Sequence, residues 1–180
     1  WVDYLYLDTD ERRRFAQVSH EYLIEQLQFT GDASADAGTH RLNFNHPVKQ
    51  LVWVQTNDAS NNTWNEWVTN PADTAKLQLN GHDRMAVRPA KYFTHVQPYQ
   101  HHSNIPVTEA GGQNPVNVYS FALKPEDHQP SGTCNMSRID NAQLTVKCNN
   151  AGADNRLHIY AVNYNVLRIM GGMGGLAYSN

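Results

Sequence analysis

Residues 141–148, "NAQLTVKC", put Ala142, Leu144 and Val146 on one parity and Gln143, Thr145 and Lys147 on the other. Successive side chains of a strand point to opposite faces, so this is a strand with one side buried and the other wet. The same kind of sequence recurs along the chain with almost no helical period between the runs, and that constrains the fold more than any other feature. The runs are 1–7 (WVDYLYL), 20–29, 39–45, 48–55, 75–81, 116–123, 141–148 and 156–170. The run at 20–29 also carries Glu21, Glu25 and Gln26, which suit a helix.

Helical signals are confined to two short stretches. Residues 10–17 predict two turns capped by Asp8 or Thr9, and 89–100 predict a short helix starting at Pro89 and disturbed by Pro98. Strands joined without regular intervening helices argue against a parallel α/β sheet. Eight strands in two packed antiparallel sheets make an all-β jelly-roll sandwich, with one or two short helices in its loops. The 180 residues are expected to form a single domain, 1–180, large enough to bury roughly 70% of its unfolded surface. The expected core contains Leu42, Phe44, Val52, Leu77, Leu79, Phe121, Leu144, Val146, Val162 and Val166, with the first strand (1–7) beside the last (156–168). His46-Pro47 marks a corner, since proline cannot donate to a ladder.

Charge narrows the function. Charged residues are 17% of the chain and the net charge is −3, so no basic excess exists to neutralise phosphates as a main task. No run of 18 apolar residues is present, hence no helical membrane insertion is expected. The chain starts at Trp1 inside strand-like sequence, which is expected of a piece of a longer protein. Cys134 and Cys148 make no disulfide framework and no Cys-x-x-Cys spacing, and are read as reduced thiols from an intracellular assembly site.

The segment 127–140, "DHQPSGTCNMSRID", looks most like chemistry. A Cys134–His128 pair would need the base in contact and a third group to orient it, and no such group stands out. Pro130 and Gly132 are ordinary turn residues, Gly132 accepting a positive φ. The nine histidines include no His-x-His, His-x-Asp or His-x-Glu; His101 and His102 are adjacent, and His95 and His102 have no carboxylate at a telling spacing. They read as structural or solvent-facing side chains. "DTDE" (8–11) lacks the glycine and closing glutamate of a calcium loop and is better read as a helix cap. No catalytic residue, cofactor site or metal site is therefore expected.

Several features point to surfaces. Arg12, Arg13 and Arg14 form either a solvated helix face or an inter-subunit ion-pair patch. "GGMGG" (171–175) reads as a tight bend or a flexible passage that lets the tail reach a neighbour. The long loops 57–74 and 81–115 are expected to be functional or to face partners. Trp64 and Trp67 could stack on sugar, which would make a carbohydrate-binding module, or anchor a protein contact, or simply pack under their loop. Of the sequons at Asn61 and Asn135, Asn61 is the better candidate for a glycan.

"YSFALKPEDHQPSGTCNMSRIDNAQL", "LDTDERRRFAQVSHEYLIEQLQ", "NFNHPVKQLVWV" and "IYAVNYNVLRIMGGMGGLAYSN" resemble, in the same order, the C-terminal part of the major capsid proteins of nucleocytoplasmic large DNA viruses, especially algal and mimivirus-like ones. The resemblance covers nearly the whole chain, with loops 31–38 and 57–74 matching least. It implies the second of two consecutive jelly rolls, a homotrimeric capsomer of pseudo-hexagonal outline, and contacts with neighbouring capsomers and minor capsid proteins. It also implies an icosahedral virion assembled in the host cytoplasm, without enzymatic activity. In this reading 125–140 joins strand G to strand H, and Arg138 and Asp140 pair with each other or with a neighbour.

Overall fold

A computed structural model describes residues 1–34, 38–57, 63–64, 73–105, 116–147 and 155–178. The chain divides into two compact units, residues 1–26 with 164–180 and residues 27–163.

The strands form two antiparallel sheets that fall mostly in the larger unit. They are β1 (His20–Ser34), β2 (Gly38–Arg41), β3 (Pro47–Asn57), β4 (Thr63–Trp64), β5 (Thr74–Leu79), β6 (His82–Asp83), β7 (Arg88–Pro89), β8 (Asn117–Ser120), β9 (Cys134–Asn135), β10 (Ala142–Lys147), β11 (Asn155–Met170) and β12 (Met173–Leu176). Of these, β12, the start of β1 and the end of β11 belong to the smaller unit. One sheet runs β1-β11-β3-β4, with β8 and β9 also on β3; the other runs β2-β10-β5-β6, with β7 on β5. The longer strands β1, β2, β3, β5, β8, β10 and β11 alternate between the sheets in chain order. That interleaving is the jelly-roll winding.

The register puts apolar residues on the facing sides. Leu144 lies opposite Leu77 and Val146 opposite Ala75, while Ile159 lies opposite Trp53 and Ala161 opposite Leu51. All eight are buried. Phe93 joins them, its ring meeting the Trp53 indole edge-on at 5.0 Å between centroids. Leu42 and Phe44 are buried as expected, although β2 ends at Arg41 and only Leu42 continues the ladder, donating its N–H to Ala142 O. Leu79 and Phe121 are partly buried against the core.

Val52, Val162 and Val166, expected in the core, are half-buried instead. In 156–166 both parities are rich in apolar residues, so alternation alone does not choose a face. The inner face of the larger unit takes Leu157, Ile159 and Ala161.

The expected strand at 1–7 is absent: the segment has no ladder partner and its side chains are exposed. β-Propensity says that a segment can pair and not that it does: β1 ends its sheet, and residues 1–7 do not pair with it. On the side of β11 away from β3 lies β1, so the pairing expected of 1–7 belongs to 20–34.

In the smaller unit, α1 (Thr9–Gln17) is capped as expected by Asp8, whose carboxylate accepts the N–H groups of Asp10 and Glu11. Gly171 and Gly172, both at positive φ, close a two-residue turn that folds β12 back onto β11. The tail bonds its own strand, with Ala177 N donating to Val166 O at 2.8 Å and Asn165 Nδ2 to Tyr178 O at 2.9 Å. The helix expected at 89–100 is a π turn (Tyr92–Val96) running into α2 (Gln97–His101). Pro98 has no N–H to offer the preceding turn, and a widened helix is one way to accommodate it.

Candidate functional site

The connection from β8 to β10, residues 121–141, carries a cluster of polar side-chain contacts. It is anchored at β3. The ladder with β11 shifts register after Val162: Val162 faces Gln50 and Asn163 faces Val48. This skips Lys49, a β-bulge that re-aims a side chain. Lys49 is buried, and its Nζ donates to Pro125 O at 2.7 Å. Its carbonyl accepts from both Phe121 N (2.9 Å) and Ala122 N (3.2 Å).

Four more ties hold the connection. Ser131 Oγ accepts Lys124 N at 2.9 Å and donates to Lys124 O at 3.1 Å, pinching the loop shut. Gly132 sits at φ +147, where an added Cβ would lie 2.8 Å from Phe121 O. The carboxylate of Glu126 accepts Ser103 N (2.9 Å) and is 3.1 Å from His102 Nδ1. The hydroxyl and N–H of Ser103, then the His102 ring, hold this carboxyl below its ordinary value. His101 Nδ1 lies 3.0 Å from Leu123 O, so the two histidines at the end of α2 contact the same loop.

At the far end, β9 pairs Cys134 with Val48 and Asn135 with Pro47. Met136 N donates to His46 O and His46 N to Ser137 Oγ. His46 has φ 65, so the corner expected at His46-Pro47 is made by a left-handed residue. Asn135 Oδ1 accepts Ser137 N and caps a single 3-10 turn, Met136–Arg138.

Cys134 is half-buried, and burial pushes its thiol up despite the opposing pull of Arg84. A protonated thiol is a poor nucleophile. No hydrogen bond joins it to His128, which lies exposed in the loop. Cys148 lies outside the described residues, as do Asn61, Trp67 and the side chain of Trp64. His95 Nδ1 lies 2.7 Å from Thr94 Oγ1, and among the described residues no three His, Cys, Asp or Glu side chains could hold a metal ion.

The charged candidates are on the surface. Arg138 and Asp140 do not pair with each other; the Asp140 carbonyl accepts Arg41 Nη2 at 3.3 Å. Arg12, Arg13 and Arg14 lie on α1, which buries no residue, and Arg13 makes an exposed contact of 3.6 Å with Asp10. Sequence reasoning missed Lys49 and the Glu126–His102–Ser103 tie, because neither a bulge nor a long-range staple leaves a local pattern.

The polar contacts of 121–141 thus tie a connection between strands of a jelly roll to β3 and to the end of α2. The sequence matches the family of the large eukaryotic DNA virus major capsid protein over residues 11–175, and the chain belongs to that family. It is 59% identical to the major capsid protein of Pyramimonas orientalis virus, covering 100% of this chain and 48% of that protein. It is 47% identical to the major capsid protein of Paramecium bursaria Chlorella virus 1 (PBCV-1), covering 100% of this chain and 53% of that protein. A quasi-atomic model of the PBCV-1 virus capsid matches with a TM-score of 0.78 and 41% identity, over 97% of this chain and 55% of that one. The chain thus spans about half the length of the curated relatives it matches.

Proposed function

We propose that this chain is the C-terminal jelly roll of a capsid subunit that trimerises into pseudo-hexagonal capsomers tiling an icosahedral shell. The observation that carries the reading is the likeness to the subunit in the PBCV-1 capsid model, at 41% identity over nearly the whole chain. The subunit is non-enzymatic: its role is to present rigid sides to neighbouring capsomers and to minor capsid proteins, with assembly in the host cytoplasm. Stiffness is what the β8–β10 staples provide. Adhesion comes from many weak contacts repeated by symmetry, where each added contact is effectively intramolecular. Exposed Arg12, Arg13, Arg14, Arg138 and Asp140 are the charged groups available to such contacts. Light scattering of the full-length protein tests this: a mass of three subunits supports the capsomer, and a stable monomer at high concentration contradicts it.

A further inference from the structure

Residues 84–91, "RMAVRPAK", bring three cations and no acid into a chain of net charge −3. The stretch leads from β6 through β7 to the π turn, and Arg84, Arg88 and Lys91 are all exposed. Among the described residues no carboxylate pairs with any of the three, whereas Lys76 has Asp83, Lys124 has Asp127 and Arg168 has Glu21. The two arginines are nevertheless held in place. The Arg84 guanidinium donates to the Tyr119 hydroxyl, and the Arg88 guanidinium lies over the Tyr92 ring, 5.4 Å from its centroid. Both tyrosines are fixed in turn. Tyr119 is buried with its ring edge-on to Phe121, and the Tyr92 hydroxyl accepts Gln97 Nε2 at 2.9 Å. Tyr92 is near enough to Tyr119 to act on its hydroxyl, so both guanidinium groups belong to one patch.

We propose that this arginine patch is the docking site for an acidic segment of a neighbouring polypeptide, whose carboxylates take the hydrogen bonds that Arg84 and Arg88 have left to give. This rests on the reading of the chain as a shell subunit with neighbours. Fixing a long side chain costs rotamer freedom, and a fork that is already fixed loses less when its partner arrives. The planar guanidinium matches a carboxylate with two parallel hydrogen bonds, and arginine and tyrosine are the residues most often found at the centre of protein contacts. A nucleic-acid backbone is the poorer occupant, because it needs a long track of cations and would meet the acid excess of the rest of the chain.

Fluorescence anisotropy of a labelled decaglutamate peptide with the full-length protein tests this, beside a labelled DNA single strand of the same length and with inorganic phosphate as competitor. The expected result is peptide binding that weakens with added salt and survives phosphate. Arg88→Gln should weaken it about tenfold or more, Arg88→Lys should restore it only in part, and Lys124→Gln, which breaks an ion pair elsewhere, should leave it unchanged. Arg88 is the residue to replace because its loss leaves the Arg84–Tyr119 bond in place, and an unchanged melting temperature shows that the fold is kept. No peptide binding at low salt, DNA bound more tightly than the peptide, displacement by phosphate, or an equal loss in Lys124→Gln would each overturn it. A full-length protein that is trimeric yet ignores the peptide removes this inference alone. One that is monomeric and binds the peptide through Arg88 removes the capsomer reading alone.

Discussion

Replacing Gly132 by alanine should cost far more than its single added methyl suggests. At φ +147 an alanine is strained by about 1–3 kcal/mol. Its Cβ would also lie 2.8 Å from Phe121 O and 3.3 Å from Ala122 Cα, against backbone and not against a side chain able to swing away. That backbone is held by the bonds from Phe121 N and Ala122 N to Lys49 O, so relief must lengthen one of them, worth about 1 kcal/mol. The sum is about 2–4 kcal/mol. Gly81 provides the control: with Asn80 it closes the β5–β6 hairpin at φ +79, but a Cβ there meets nothing within 4 Å. Gly81→Ala should therefore show only the left-handed strain of about 1 kcal/mol. Calorimetry of the full-length protein and both variants should put the Gly132→Ala transition several degrees below that of Gly81→Ala. Equal shifts for the two would refute the claim that the β8–β10 connection is rigidly fixed against β3.

Lys49→Met keeps the buried stem but leaves Pro125 O without its donor, which should destabilise by about 1–3 kcal/mol and speed amide exchange around Lys124–Glu126; unchanged exchange would argue against the bulge as the anchor. Glu126 has a folded pKa below its ordinary 4.5, so its contribution is present above that pH and is lost as pH falls through the lower folded value. Protection of the Ser103 amide should fall in that window, and Glu126→Gln should remove the pH dependence. Cys134, raised above its ordinary 9.0, should alkylate slowly at neutral pH in a Cys148→Ser background, accelerating only in strong alkali; rapid labelling at neutral pH would restore it as a reactive thiol.

The alternation in 141–148 was legible because the polar parity is the less buried one throughout: Ala142, Leu144 and Val146 are buried, Gln143 and Thr145 half-buried and Lys147 exposed. It failed at 156–166, where Tyr160 and Val162 on one parity and Leu157 and Ile159 on the other all suit a strand face, so that alternation does not choose between the two sets. It failed also at 1–7, since propensity reports what a segment can do and not whether it pairs. The caps and turns were readable from chemistry a few residues long, as Asp8 and Gly132 show. The staples on the β8–β10 connection were not, because Lys49 and Pro125 are brought together only by the finished sheet.

Quantitative mass spectrometry of purified virus particles tests the central claim most directly. A protein whose role is to tile the shell should be the most abundant polypeptide of the particle. A trace quantity, with some other chain making up the bulk of the shell, would contradict the account.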